Sequence, residues 1–403
     1  MLNKNVFFLG LSLLLLSQPL FAQENVEEKV EEKEKNKKLE LKPYGFIKGD
    51  MVYTTDEVKS FTNAGSLAAP QQATGVEQSA VGFTAQHTRI GLKSTVGEQI
   101  KVGGVVEIDF FTNTFVTNAT PRIRLGYASV AKGGFEARMG QQWDLFSANN
   151  PTTNNTNGNM WYAGNRGFRR AQLQLSYMLD NEKISPMVQF SLGETTPDGA
   201  FPGFDNQSGI PMIQARLSGK IMKKYVVGAS FASGKYVAEV GTPLEFNYNT
   251  SGVSFDFNLP IHKYFSLLGE FSTGTNLSNA TLFSVAGNYS YTINPVTSAI
   301  TKNSTKSMGY WLNATSNITD WFSVVLGYGM DKNNNETFAI NNVEKNTVLY
   351  GDLIFPIKHG FSVALEYQNI KTVVVTAVDA NNAISTTKDN TANVINLSAR
   401  VAF

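Results

Sequence analysis

The sequence predicts an all-β protein, a transmembrane antiparallel up-and-down β-barrel of about 16 strands, and three observations predict it. Hydrophobic residues make up 42% of the chain. Yet beyond the first 22 residues no apolar run approaches the ~20 residues a helical bilayer span needs. The chain from Lys42 onward instead breaks into alternating strand candidates whose connections are short and long by turns, as periplasmic turns and extracellular loops would be. Finally, the terminal segment 393–403 sets Ile395, Leu397, Ala399, Val401 and Phe403 on one face and Asn396, Ser398 and Arg400 on the other. A period of two sends one set to lipid and the other to a polar lumen, with an aromatic at the interface.

Residues 1–22 predict a cleaved signal peptide: Lys4 gives a positive start, Val6 to Leu16 an apolar core, and Ala22 a small residue at the cut. Residues 23–42 follow as a charged periplasmic segment. From Glu24 to Lys42 it holds seven acids and six bases. Val26 and Val30 are too few for a coiled-coil seam, so a solvated tether is expected.

The barrel is expected over 43–403. Strand candidates run 43–55, 81–96, 99–112, 121–132, 134–146, 169–180, 183–195, 210–222, 225–237, 245–260, 264–276, 306–318, 321–332, 345–357, 360–374 and 391–403. Short turns fall at Gly97-Glu98, Lys132-Gly133, Asp180-Asn181, Lys223-Lys224, His262-Lys263, Thr319-Asp320 and Lys358-His359. Long polar connections fall at 56–80, 113–120, 147–168, 196–209, 238–244, 277–305, 333–344 and 375–390. Phe135, Tyr225, Tyr264, Trp321 and Phe361 sit just past short turns, where a periplasmic aromatic girdle belongs. An export signal followed by such a barrel places the chain in a bacterial outer membrane. A soluble β-sandwich would leave both the signal and the two-rim loop pattern without a reason.

The chain has no cysteine, so strand pairing must hold the fold. Without the signal, basic and acidic residues number 33 each, and net charge points to no nucleic-acid partner. The three histidines, His87, His262 and His359, lack metal-ligand spacing, and two lie in expected turns. No catalytic constellation and no cofactor is expected. Asp331 to Glu336 lacks the central Gly and distal Glu of a calcium loop.

At Thr88-Arg89-Ile90-Gly91-Leu92-Lys93-Ser94 the chain resembles a strand of Gram-negative general porins. The likeness continues through Gly103–Phe111, with its Glu107 and Asp109, through Pro121-Arg122-Ile123-Arg124-Leu125-Gly126-Tyr127, and through Arg138-Met139-Gly140-Gln141-Gln142-Trp143. The last two stretches most resemble the DcaP-like trimeric porins, which also carry a charged segment before the first strand. The resemblance covers 43–146 by motif and the remainder by rhythm. It implies a 16-stranded diffusion porin, a homotrimer, with its third long loop folded into the pore. The segment 23–42 is too short for the coiled coil of that branch, and the acidic constriction motif of enterobacterial porins is absent.

Alternation assigns Glu107, Asp109, Arg122, Arg124, Glu136, Arg138, Asp144, Arg170 and Arg216 to the lumen, with Arg89 and Lys93 on a strand that alternates less cleanly. Ile123, Leu125 and Tyr127 are expected on lipid. A charge facing a wet lumen costs little, whereas Arg or Lys on the lipid face at mid-bilayer costs ~2–4 kcal/mol. Five arginines against four or five carboxylates predict only a weak anion preference. In the loop 147–168, Asn and Gly permit turns, and Trp161, Tyr162 and Arg166 are the expected constriction residues.

These residues predict passive diffusion of small hydrophilic solutes, anionic ones included, and ions. Two other readings stay open: a surface or adhesive protein anchored by its barrel, whose lumen would be plugged by bulky inward residues, and a substrate-specific uptake channel. The inward positions are expected to be small and polar.

Overall fold

The structure is a computed structural model and describes residues 39–59, 72–111, 119–154, 160–195, 209–238 and 242–403. The signal sequence at 1–22 and residues 23–38 of the charged segment lie outside these.

Sixteen antiparallel strands close into one barrel. They are β1 (Glu40–Thr54), β2 (Ala80–Thr84 and Arg89–Val96), β3 (Ile100–Asp109), β4 (Arg122–Lys132), β5 (Phe135–Trp143), β6 (Arg169–Met178), β7 (Ile184–Gly193) and β8 (Met212–Ile221). The second half comprises β9 (Tyr225–Ala238), β10 (Phe246–His262), β11 (Phe265–Thr275), β12 (Lys306–Thr319), β13 (Phe322–Asn333), β14 (Val343–Pro356), β15 (Phe361–Val378) and β16 (Ile384–Ala402). Each strand pairs with its chain neighbours, and β1 closes the ring on β16 from Phe46↔Ala402 to Thr54↔Val394. The Gly45 and Phe403 backbones exchange two hydrogen bonds of 3.1 Å, which lock the chain end to the first strand. Closure leaves no unpaired edge in lipid.

Alternation explains the wall. On β16, Ile395, Leu397 and Val401 are exposed outward while Asn396 and Ser398 are buried inward. Phe135, Tyr264, Trp321 and Phe361 are exposed beside the short turns, where the girdle was expected.

Four expectations need correction. β1 starts at Glu40 rather than 43, because Glu40–Lys42 pair with Lys93–Thr95. The strand expected at 81–96 breaks at 85–88, where His87 turns inward onto Asp50 at 2.7 Å. Most of the loop expected at 375–390 is strand, since β15 and β16 continue their ladder up to Val378↔Ile384. Leu125 and Tyr127 share the inward parity of Glu107 rather than facing lipid. Glu107 pairs with Leu125 and Ile108 with Ile123, so Arg124 is the extra residue of a bulge. Ile123 and Val130 are accordingly both exposed although seven residues apart, a parity only an inserted residue produces.

The inward positions are also not uniformly small and polar. Trp311, Val325, Val348, Tyr350 and Ile370 are buried on the inner wall of β12–β15, packed with Met160 and Ala163. They form a seat for a loop.

Candidate functional site

The seat is occupied by the segment that joins β5 to β6. A polar chain can leave water only if its backbone groups find partners, and inward strand residues supply them. The Ser147 hydroxyl and the Asn149 amide donate to Glu270 on β11 at 2.6 and 2.7 Å. Farther along, the Thr152 amide donates to the Asn313 side chain on β12 at 2.8 Å. The Asn154 amide donates to Glu366 on β15 at 2.8 Å, and its side chain bonds Asn396 and Ser398 on β16. The segment thus crosses the barrel interior. Residues 155–159 lie outside the described part.

On its return the segment packs against glycines. A Cβ on Gly329 would stand 2.1 Å from the Ala163 carbonyl oxygen, and one on Gly309 would stand 3.0 Å from Gly164 Cα. Asn346 on β14 donates to the Tyr162 carbonyl at 2.9 Å. Arg166 donates to Asp331 on β13 at 2.9 Å and to the Phe283 carbonyl at 3.0 Å, and both charged side chains are fully buried. Burial pulls the Arg166 guanidinium below its usual value, and Asp331 opposes that pull. Trp161 stacks on Phe283 with centroids 4.8 Å apart, and Tyr162 and Phe168 meet the same ring at 5.2 Å.

Phe283 belongs to a second inward segment, between β11 and β12. It contains a short 3-10 turn, Leu277–Ala280, and a hairpin, Ser290–Ile293 with Ile300–Asn303. Arg170 donates to the Ala280 carbonyl at 2.9 Å, to the Glu194 and Thr195 carbonyls at 2.7 and 3.0 Å, and to Asp144. Arg216 donates to Asp256 at 2.5 and 3.1 Å and to Gln189 at 3.3 Å. Arg166, Arg170, Arg216 and Asp144 are therefore buried among protein partners, away from lumen water.

The remaining expected residues gather on one wall. Arg124 donates to Glu107 at 2.8 Å and to Asp109 at 3.0 Å, while Arg122 holds both oxygens of Asp109 at 2.8 and 3.0 Å. Arg89 lies 3.6 Å from Glu107. Arg138 donates to Glu136 at 2.8 Å and stands over the Tyr127 ring at 5.2 Å; both charged side chains of that pair keep about a third of their surface exposed. Two further arginines complete the cluster. Arg400 and Arg89 stand over the Phe46 ring at 4.3 and 5.3 Å, and buried Arg169 lies between Trp143 and Phe168 at 4.9 and 4.5 Å.

Five guanidiniums, Arg89, Arg122, Arg124, Arg138 and Arg169, thus share three carboxylates, Glu107, Asp109 and Glu136, and Arg400 adds a sixth over the Phe46 ring. The loop 147–168 carries no acid. The inward acids Asp256, Glu270, Asp331, Asp352 and Glu366 stand on β10–β15 instead, all buried, Asp256 against Arg216 and the other four beneath the loop 147–168. This partition escaped the sequence reading. Its signal was present, because four of the five acids sit at an inward parity with no charged neighbour on either side, as Glu366 does between Leu365 and Tyr367. Among the described residues no group of three or more metal-ligating side chains converges.

A closed 16-stranded barrel with an apolar outer face, aromatic interfaces and polar loops docked inside is an outer-membrane barrel of the porin type. Comparison with solved structures agrees on the fold. The outer membrane channel DcaP of Acinetobacter baumannii superposes with a TM-score of 0.69 at 19% identity, covering 91% of this chain and 97% of that one. An anion-selective porin from Comamonas acidovorans gives 0.58 at 12% identity, covering 91% and 100%. OmpT of Vibrio cholerae in its trimer form gives 0.57 at 11% identity, covering 91% and 99%. No family model and no curated protein sequence matches the chain.

Proposed function

We propose that the protein is a passive, non-enzymatic channel for small hydrophilic solutes that favours anions, narrowed by the loop 147–168 and assembled as a homotrimer after export on the signal at 1–22. The observation that carries this reading is the arginine wall facing a loop without acids. Arg166 with Asp331, Arg170 with Asp144 and Arg216 with Asp256 cancel in buried pairs, so they do not dilute the surplus. Of the wall charges, Arg89, Arg122, Arg138 and Arg400 keep solvent contact against the single carboxylate Glu136, so the preference exceeds the weak bias that a count of all inward charges suggests. In a passage with low-dielectric walls such a surplus raises the local anion concentration. The Comamonas porin, described as anion-selective, shares the fold, and the Vibrio outer membrane protein of the same fold is described in a trimer form.

Reconstitution in a planar bilayer tests the proposal. Conductance steps in threes, with a reversal potential of anion-selective sign in a salt gradient, are expected. Arg122→Gln with Arg138→Gln should move that potential toward zero. Folded barrels that conduct nothing would sink the channel reading and leave a surface-anchored protein in its place.

A further inference from the structure

The outer face carries a charge pattern that the channel does not use. On four consecutive strands a lysine is the outward residue at the extracellular end: Lys306 on β12, Lys332 on β13, Lys345 on β14 and Lys371 on β15. Below them, past Thr347 on β14 and Asn369 on β15, the outward residues are apolar or tyrosine, including Tyr310, Leu312, Leu326, Tyr328, Leu349, Leu365 and Tyr367. Tyr310 and Tyr328 lie with ring centroids 6.0 Å apart. From Phe322, in the aromatic cluster of the periplasmic edge, to Lys332 is ten residues, ~33 Å along a strand and ~25 Å of depth at the usual tilt. The lysines therefore stand at the opposite interface, at the height of lipid headgroups.

The register makes two of them unusual. Lys332 and Lys345 are direct cross-strand partners, and Thr347, next outward on β14, pairs with Lys371. Like charges directly opposite on one face destabilise a sheet unless an anion lies between them. Lys306 has Glu336 at 3.1 Å and Lys371 has Asp389 at 2.5 Å. Among the described residues no hydrogen bond or ion pair reaches the Lys332 or Lys345 ammonium. Lys235 on β9 is the only other outward lysine in the extracellular half of the described strands. The cluster thus occupies one sector of the barrel and is not a general rim.

The geometry points to a binding site for a phosphate-bearing lipid headgroup of the outer leaflet, with its phosphate between Lys332 and Lys345, Lys371 beside it, and its acyl chains on the apolar face of β12–β15. Simple snorkelling explains single lysines at an interface but gives no reason to place two opposite each other without an acid. A phosphate satisfies both at once, and its chains cover the tyrosines below.

The test is native mass spectrometry of the detergent-purified, delipidated protein titrated with bis-phosphorylated lipid A. Saturable binding is expected. Lys332→Gln with Lys345→Gln should weaken it roughly tenfold to thirtyfold, given ~1 kcal/mol per lysine at a charged lipid surface. Arginine at both positions should retain it, and Lys235→Gln should leave it unchanged. Gel-shift heat modifiability identifies folded barrel for every variant. Equal binding of a dephosphorylated lipid A, or equal affinity of the glutamine variant, would overturn the proposal. So would displacement by inorganic phosphate at the same concentration as lipid A, which would mark a free-phosphate site, or a loss of trimer with lipid binding intact, which would mark a protein contact.

Discussion

Arg166 and Arg122 show how differently two inward arginines can serve. Arg166 and Asp331 have surrendered all solvent contact, so removing one leaves the other charged and unpaired, at a cost of ~3–5 kcal/mol, whereas a hydrophobic pair can replace both. Arg166→Ala is expected to free the loop and give noisy, larger single-channel steps. Arg166→Met with Asp331→Leu should return quiet steps. Single-channel recording distinguishes the two cases. Arg122 and Arg138 keep solvent contact and, in the channel proposed above, line the path of the solute. Their loss should alter reversal potential with little change in thermal stability, while Arg170→Gln should do the reverse, because its guanidinium bonds Asp144 and three carbonyls. A sequence discloses that both kinds of arginine point inward. It does not disclose which have a carboxylate and a loop above them, since those partners stand 26 to 165 positions away.

Strands were legible because a two-residue period with polar turns leaves few other solutions, and β1–β16 fall where alternation and turns placed them. The exceptions have one cause, a local irregularity that residue types do not betray. Leu125, Gly126 and Tyr127 suit either face, so the bulge at Arg124 and the inversion of Tyr127 were invisible. The extension of β15 and β16 was hidden because Thr, Asn and Ala fit a loop as well as a ladder. The inward docking of 147–168 was expected from its place after the fifth strand, but its seat was not. Gly309, Gly327 and Gly329 at inward positions are the trace the seat leaves in the sequence. Gly329→Val would push a side chain into the Ala163 carbonyl and Met160, so the loop should lift from β13. Liposome-swelling assays with sugars of increasing size should then show a raised cutoff at unchanged barrel fold.

The whole molecule is electrically divided. Arginines gather on β2, β4–β6 and β16, while the inward acids of β11–β15 lie beneath the loop they hold. A field of this kind is screened by mobile ions, whose reach falls from ~10 Å at 0.1 M salt to ~3 Å at 1 M. The anion preference should accordingly fade as the mean salt of a constant-ratio gradient is raised, and reversal potentials across such a series check it. Constant selectivity at every salt level would point instead to a size filter.

The ties of the loop 147–168 run from the fifth and sixth strands to residues as late as Ser398, and this ordering constrains assembly. Asn313, Asp331, Glu366 and Asn396 all follow the loop in the chain, and the last of them stands on the final strand. Until these late strands have paired, the loop has no seat to land on. In the channel proposed above, narrowing of the passage is therefore expected late in folding, after a stage in which the barrel is wider than the finished one.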